Sequence, residues 1–434
     1  TAAGLLVTKS GASGSADKAL FGQLGGYPLA LGISSFLMVA LSLLPGIRMI
    51  PFMGIAAATG YAAYRISRTR RDAAAAQEAA VDAAVPAPVA EEPISTALQI
   101  DEVRLELGYA LLALVSGERG HRLTDQIKGL RRQLASEMGF VLPSVRIQDN
   151  MQLPANSYVL RIKEIEAGRG DLRPAMLLVM DPHGQPIPLP GEDTNEPTFG
   201  LPARWINEAD REEAQFRGLT VVDPPTVVTT HLTEVIRDNM AELLSYAETQ
   251  KLLDELGPAH QKLVGDVIPN QISVGGLQRI LQNLLQERVS ARDLPTILEG
   301  ISEACTFTRN ITLITEHVRT RLGRQISDSL ASPEGTLPLV TLSVTWEQAF
   351  AESLIGDGEE KQLAMAPSKL QEFIRSVREG FDRFAAMGEV PVLLTSPGIR
   401  PYVRSIVERF RPATAVLSQN EIHARARIKT VRQI

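Results

Sequence analysis

Within residues 196–232, EPTFGLPARWINEADREEAQFRGLTVVDPPTVVTTHL, the chain places a carboxylate at Glu196, a rigid ring at Pro197, an aromatic at Phe199 and, further on, a hydroxyl at Thr230. An aromatic beside a stiff ring, with polar groups around it, is a set suited to recognising a partner. The Glu-Pro-Thr-Phe-Gly run suits a loop that holds one ring at a surface, with Glu196 as an acid at its rim. If the chain then turns back, Phe199 and Thr230 line one cleft. The alternative is that Phe199 is a core ring and Thr230 a helix-face hydroxyl, because most aromatics serve packing.

Groups for covalent chemistry are not gathered anywhere. The sequence has no G-x-x-x-x-G-K-[ST] phosphate loop, no H-E-x-x-H zinc motif, no G-x-S-x-G elbow and no paired cysteine ligands. His121, His183 and His231 are too scattered for a metal site and read as surface or packing residues. The single cysteine, Cys305, excludes an intrachain disulfide, suits a reducing compartment and lies in an apolar helical pattern as a core residue rather than a nucleophile. Gly168-Arg169-Gly170 is too short for a dinucleotide fingerprint and reads as a hairpin turn. A binding protein is expected, with no catalytic residue, cofactor or metal.

The elements that must carry Phe199 and Thr230 follow from local signals. Asn207 as N-cap, acids at Glu208 and Asp210 and a stop at Gly218 predict a helix near 208–217. Leu219 to Val222 reads as a strand, Pro224-Pro225 breaks it, and Thr226 to Leu232 opens a new helix. Upstream, strands are expected at Ile100–Leu107, Val141–Ile147, Tyr158–Ile165 and Met176–Met180, the last before the turn Asp181-Pro182-His183-Gly184. Leu123, Ile127, Leu130, Leu134 and Met138 mark an amphipathic helix stopped by Gly139.

Beyond Ser245 strand signals vanish. Apolar stripes at 277–285, 294–301 and 311–322 predict helices. The link Ser290–Asp293 has helix-turn-helix spacing, yet Asp293, Glu299 and Glu303 make the second helix acidic, which opposes a DNA groove. From Leu337 alternation returns, with strands at Leu339–Val344, Val390–Leu394 and Ala415–Leu417 between helices near 345–355, 367–387 and 399–410, a small α/β pattern.

The N-terminal part differs in kind. Residues 26–44, GYPLALGISSFLMVALSLL, and the Ala/Gly-rich run Met49–Tyr64 carry no charge and approach the roughly 17–25 residues of a bilayer span. A tight turn at Pro45–Arg48 makes them a hairpin, with spans about 26–45 and 49–66. Arg65, Arg68, Arg70 and Arg71 after it, and Lys9 and Lys18 before it, put both ends on the cytoplasmic side. The alternative is a pair of buried soluble helices. Residues 72–97, alanine-rich and then broken by Pro86, Pro88 and Pro93, read as a tether. The 434 residues, 44% hydrophobic, suit several domains, and a net charge of −6 argues against general nucleic-acid binding. The sequence opens on Thr1 rather than Met and reads as a piece of a longer protein.

Several segments, in order, resemble the flagellar and type III secretion export-gate family: TAAGLLVTK at Thr1, MGFVLPSVRIQDNMQL from Met138, the Phe199–Leu232 block with VVDPPTVVTTHL, LQNLLQERVSARDLPTILE from Leu281 and GIRPYVRSIVERF from Gly398. The resemblance covers nearly the whole chain. It implies the last two membrane spans and a four-part cytosolic domain of an inner-membrane protein, in an α+β multidomain fold. The parts are a transmembrane hairpin (1–71), a linker (72–97), an α+β part (98–174 with 224–244), an inserted part (175–223), a helical part (245–330) and an α/β part (331–434). It further implies a nonameric ring that docks flagellar export chaperones with their substrates, beside the export ATPase complex and other gate proteins, in the membrane and without nucleic acid. Chaperones would dock on Glu196, Phe199 and Thr230; the acidic position is commonly Asp in the family and Glu here. Gly108, in LELGYALL, matches a family glycine and is a structural or hinge candidate, or a glycine tolerated at a strand end. The family's F-H-I-P-E-P signature is missing, so no proton-pathway residue is named. Alternatives are the homologous virulence (injectisome) gate, or a membrane-tethered regulator with a helical nucleic-acid-binding domain.

Overall fold

The computed structural model describes residues 28–42, 50, 53–65, 67–69, 100–116, 123–182, 184–356, 358, 361–385 and 390–434. His121, His183 and the tether 72–97 lie outside them. Two compact units are formed, 1–99 and 100–434.

In the first unit, helix α1 (Pro28–Ser42) and a second helical stretch, 53–65, pack through small residues. Ser35 Oγ donates to the Ala56 carbonyl at 2.7 Å, Ala56 is buried, and a Cβ added at Gly60 would stand 3.0 Å from Ser35 Oγ. Phe36 and Ile50 remain exposed. The span expected over 26–45 appears as 15 helical residues, and no helix among the described residues is long and apolar enough to cross a membrane.

The second unit builds three four-stranded sheets around helices. The first sheet has the order β2-β1-β3-β4, from β1 (Val103–Leu107), β2 (Val145–Asp149), β3 (Ser157–Ile162) and β4 (Ile165–Asp171). β1 runs parallel to β2 and antiparallel to β3. The parallel crossover is made by α2 (Leu123–Met138), whose Leu123, Ile127, Leu130 and Leu134 are buried as their spacing dictates. Gly139 ends it at φ +84°, the left-handed conformation that glycine adopts without steric cost.

The second sheet, β6-β7-β5-β8, is wholly antiparallel: β5 (Met176–Met180), β6 (Glu192–Asn195), β7 (Pro202–Asn207) and β8 (Thr220–Val222). It has its own small core of Leu177, Val179, Leu189, Ile206, Ala214 and Leu219. The helix expected near 208–217 is a 3₁₀ turn (Glu208–Asp210) followed by α3 (Arg211–Phe216), and the Asn207 side chain makes no cap bond.

Helix α4 (Pro224–Asp238) corrects another expectation. Pro224 and Pro225 open this helix rather than precede it, because proline fits the first turn, where a missing N–H costs nothing; the Asp223 carboxylate caps it by accepting from Thr226 N–H. No strand occurs in 245–330. Its helices α5 (Tyr246–Asp254), α6 (Gln261–Val267), α7 (Val274–Gln286), α8 (Leu294–Ala304), α9 (Ile311–Arg321) and α10 (Gly323–Ser329) share one continuous core with the first sheet.

The third sheet, β13-β12-β9-β14, is parallel throughout: β9 (Thr336–Thr341), β12 (Val392–Thr395), β13 (Val416–Ser418) and β14 (Arg427–Gln433). Between its strands run α11 (Val344–Glu352), a two-residue ribbon of β10 (Leu354–Ile355) and β11 (Gln362–Leu363), α12 (Pro367–Ala385) and α13 (Arg400–Val407). Trp346, Phe350, Phe373 and Val403 form a core on the helices that cross it.

A buried ionic cluster joins the α7–α10 helices to this last sheet. Arg400 donates to Glu287 Oε1 and Oε2, both at 2.8 Å, and to Glu316; Arg319 Nε lies 2.5 Å from Glu421 Oε1. Arg319, Arg400 and Glu421 are almost wholly buried. Burial alone would raise the carboxyl pKa of Glu287, yet the charges of Arg319 and Arg400, with Arg404, bring it down to about 2.

Candidate functional site

Strands β6 and β7 are joined by the tight loop 196–201. Glu196 N–H donates to Leu201 O at 2.8 Å, Gly200 N–H donates to Glu196 O at 2.9 Å, and Gly200 sits at φ +69°. The Glu196 side chain folds back inside: Oε1 accepts from Thr198 N–H at 2.9 Å and Oε2 from Phe199 N–H at 2.7 Å. Two amides of an irregular loop are thereby satisfied by one carboxylate, as charge-assisted bonds do well. Glu196 is only 5% exposed. It is therefore not an acid at the rim, as the sequence suggested; it is the internal brace of the loop.

The brace displays apolar groups. Phe199 is 63% exposed and Leu201 51%, so the reading of Phe199 as a core ring fails. Thr230 is also exposed, on the face of α4 opposite its buried row Val227, Val228, His231, Leu232 and Val235. That row follows from helical periodicity, which leaves Thr230 outward once its neighbours face the core.

The buried side of α4 is joined to β3 by a ring pair. His231 Nδ1 and the Tyr158 hydroxyl are hydrogen-bonded at 2.8 Å, with the rings edge to face at 5.8 Å. Burial raises the Tyr158 pKa, and the charges of Glu196 and Asp171 add to that. Burial lowers the His231 pKa, against an opposing pull from Glu196. The Glu196 carboxylate thus acts electrostatically on both members of the pair. Phe199 and Thr230 are both exposed, and none of the hydrogen bonds or ion pairs of the described residues joins the 196–201 loop to Thr230.

Gly168-Arg169-Gly170 is strand, not turn; the turn is Lys163-Glu164, both at positive φ. A Cβ at Gly168 would lie 2.8 Å from His231 Nε2, and one at Gly170 2.7 Å from the Tyr158 hydroxyl. The two glycines, one pleat apart on the same face, are what lets β4 pass over the buried pair. This Gly-x-Gly spacing was the available sequence signal for that pair, and it needed the strand assignment to be read. Gly108 also owes its identity to close approach: at an ordinary φ of −67°, a Cβ there would meet Pro154 O at 2.2 Å. Its surroundings are those of a packed strand end.

Among the described residues, no group of three or more His, Cys, Asp or Glu is placed to hold a metal ion. Cys305 is half-buried just after α8, and burial raises its thiol pKa, which leaves it a poor nucleophile. Ser290 bonds to the Glu137 carbonyl, and Asp293 caps α8, so the 290–293 link is occupied in packing.

The chain matches the FHIPEP family profile over residues 1–427. It is 56% identical over 430 residues to the flagellar biosynthesis protein FlhA of Caulobacter vibrioides, covering 99% of this chain and 61% of that protein. To the FlhA of Bacillus subtilis it is 36% identical over 99% of this chain and 64% of the relative, so it spans less than two thirds of the length of these proteins. Its fold is similar to the Chlamydia pneumoniae CdsV protein, with a TM-score of 0.70 and 26% identity over 77% of this chain and 98% of the other. A nonameric EPEC SctV-C shares the fold, with a TM-score of 0.61 and 21% identity over 77% of this chain and 98% of that one. From the profile match and the curated relatives alike, the chain belongs to the FHIPEP family.

Proposed function

We propose that this chain is part of the flagellar protein-export apparatus and docks export chaperones with their substrates on the surface that carries Phe199 and Thr230. The observation that carries this reading is an exposed aromatic held in place by a buried carboxylate: Phe199 is 63% exposed while Glu196 beneath it is 5% exposed. A large apolar ring presented to water from a braced backbone is costly for folding and useful for binding, since the loop is already ordered when a partner covers it. Family membership supports the export role.

The same reading includes a homo-oligomeric ring at the bacterial inner membrane, anchored by the hairpin 26–66, with the region after the tether in the cytoplasm. Its support is the apolar, charge-free composition of 26–44 and 49–64 and the arginines that follow. A nonameric ring is described for SctV-C, and a complex with CdsO for CdsV; by analogy an export ATPase complex and other gate proteins are expected partners here. The partition into 98–174 with 224–244, 175–223, 245–330 and 331–434 is supported by one four-stranded sheet in each of the first, second and last parts and no strand in the third.

The test is calorimetric affinity for a purified flagellar chaperone–substrate complex. Phe199→Ala is expected to weaken binding by about 2 kcal/mol, roughly thirtyfold. Because the ring is exposed, its melting temperature should hardly move. Unchanged affinity in a folded variant would remove this surface as the docking site.

A further inference from the structure

A pocket of about 560 Å³ opens at the end of the third sheet, lined by Arg324 and Asp328 of α10, by Gly335 and Leu337, and by His423, Arg425 and Arg427, and none of these residues belongs to the Phe199 loop. Arg319, Arg400 and Arg404 nearby are all matched to glutamates. By contrast, no ion pair among the described residues involves Arg324, Arg425 or Arg427, and all three are exposed. His423 Nδ1 accepts from Arg425 N–H at 3.3 Å, which leaves the proton of the neutral ring on Nε2 as a further donor. Asp328 is the single acid in this lining.

The pocket continues into an open sheet edge. β14 pairs with β9 on one side and ends the order β13-β12-β9-β14, and Arg427, Ile428, Lys429 and Thr430 are exposed on both of its faces. Residues 422–434 carry Arg425, Arg427, Lys429 and Arg432 and no acid, in a chain whose net charge is −6. Arg427 and Lys429 are one pleat apart and share a face, so they match acids at alternate positions of an extended partner.

We infer that this edge and pocket bind an extended acidic segment of another polypeptide. The segment adds to β14 as a further strand, sets alternate carboxylates on Arg427 and Lys429, and places a terminal acid among Arg324, Arg425 and His423. The surface is distinct from the one proposed for chaperone docking and stands or falls independently of it.

Fluorescence anisotropy with a fluorescein-labelled Glu-Thr repeat peptide and the full chain in detergent tests the inference. The Glu-Thr peptide is expected to bind, more weakly as salt rises, while a Gln-Thr repeat does not. The double variant Arg425→Glu/Arg427→Glu should lose about tenfold in affinity, and Arg324→Ala less. These side chains are exposed, so circular dichroism should be unchanged. A Glu-Pro repeat of equal charge, in which every second residue has no N–H and a φ fixed away from that of a strand, should bind less well than Glu-Thr. Equal binding of the Glu and Gln peptides would overturn the inference, and equal binding of Glu-Pro would overturn strand addition. So would displacement of the peptide by inorganic phosphate at the peptide's own concentration, which marks a small-anion pocket. Absence of peptide binding leaves the charges only as protection against edge aggregation. Self-association of the chain that the double variant abolishes, without peptide binding, assigns the edge to a second copy instead.

Discussion

Glu196 illustrates how one residue can serve a surface without being on it. Its two oxygens are both engaged by Thr198 and Phe199 N–H, so its effect on a partner must run through loop shape. Glu196→Ala should cost about 1–2 kcal/mol of stability, since two amides lose their acceptor, and should also weaken chaperone binding while Phe199 is intact. Glu196→Gln keeps one acceptor oxygen and should fall between. A pair of melting curves beside binding isotherms checks this, and a Glu196→Ala chain with native stability and native affinity would contradict it. His231 supplies a pH signature. Its folded pKa lies below the ordinary 6.5, so the folded chain favours the neutral ring. Stability is full above about pH 6.5 and declines as pH falls below it, because the unfolded chain takes up the proton first. In His231→Gln, melting temperature should lose that component of its pH dependence.

At the level of elements, the buried ionic cluster joins Glu287 after α7, Glu316 and Arg319 of α9, Arg400 of α13 and Glu421 near β13. Removing one partner leaves the others charged and out of water, which is worse than never having buried them. Glu287→Gln should therefore destabilise the chain by about 3–5 kcal/mol, read from denaturant unfolding. With its folded pKa near 2 against an ordinary 4.5, Glu287 contributes stability that is fully present above pH 4.5 and is lost as pH falls towards 2. The variant should lack that acid limb. The strands that escaped sequence reading belong to this scale too. β4 (IEAGRGD), β6 (EDTN) and β14 (RIKTVRQ) each lie at the edge of a sheet, so they have little apolar alternation of their own and are held by ladders to a neighbour. β7 was hidden for a different reason: Pro202 at its start and acids from Glu208 onward favoured a loop and then a helix.

For the whole molecule, the division at residue 99 predicts that a chain beginning at Ile100 keeps its helix and sheet content and unfolds cooperatively. Circular dichroism and thermal melting of that piece check it; aggregation or a broad transition would put the boundary elsewhere. Much of the architecture was legible beforehand. The helices of 123–138 and 274–321 and the strand Met176–Met180 announce themselves because their own periodicity is that of a buried face. The exposed ring at Phe199 was one of two open readings, since an aromatic beside Pro and Gly suits either a loop tip or a core, and composition cannot say which way a ring points. Only the tertiary structure decided that Phe199 faces out and Glu196 in, that two glycines of β4 make room for Tyr158 and His231, and that Arg324 meets the distant Arg425 and Arg427 at one pocket. Sequence fixes periodicity, caps and charge because these act between near neighbours. Direction and convergence depend on groups far apart in the chain that meet only when the elements pack.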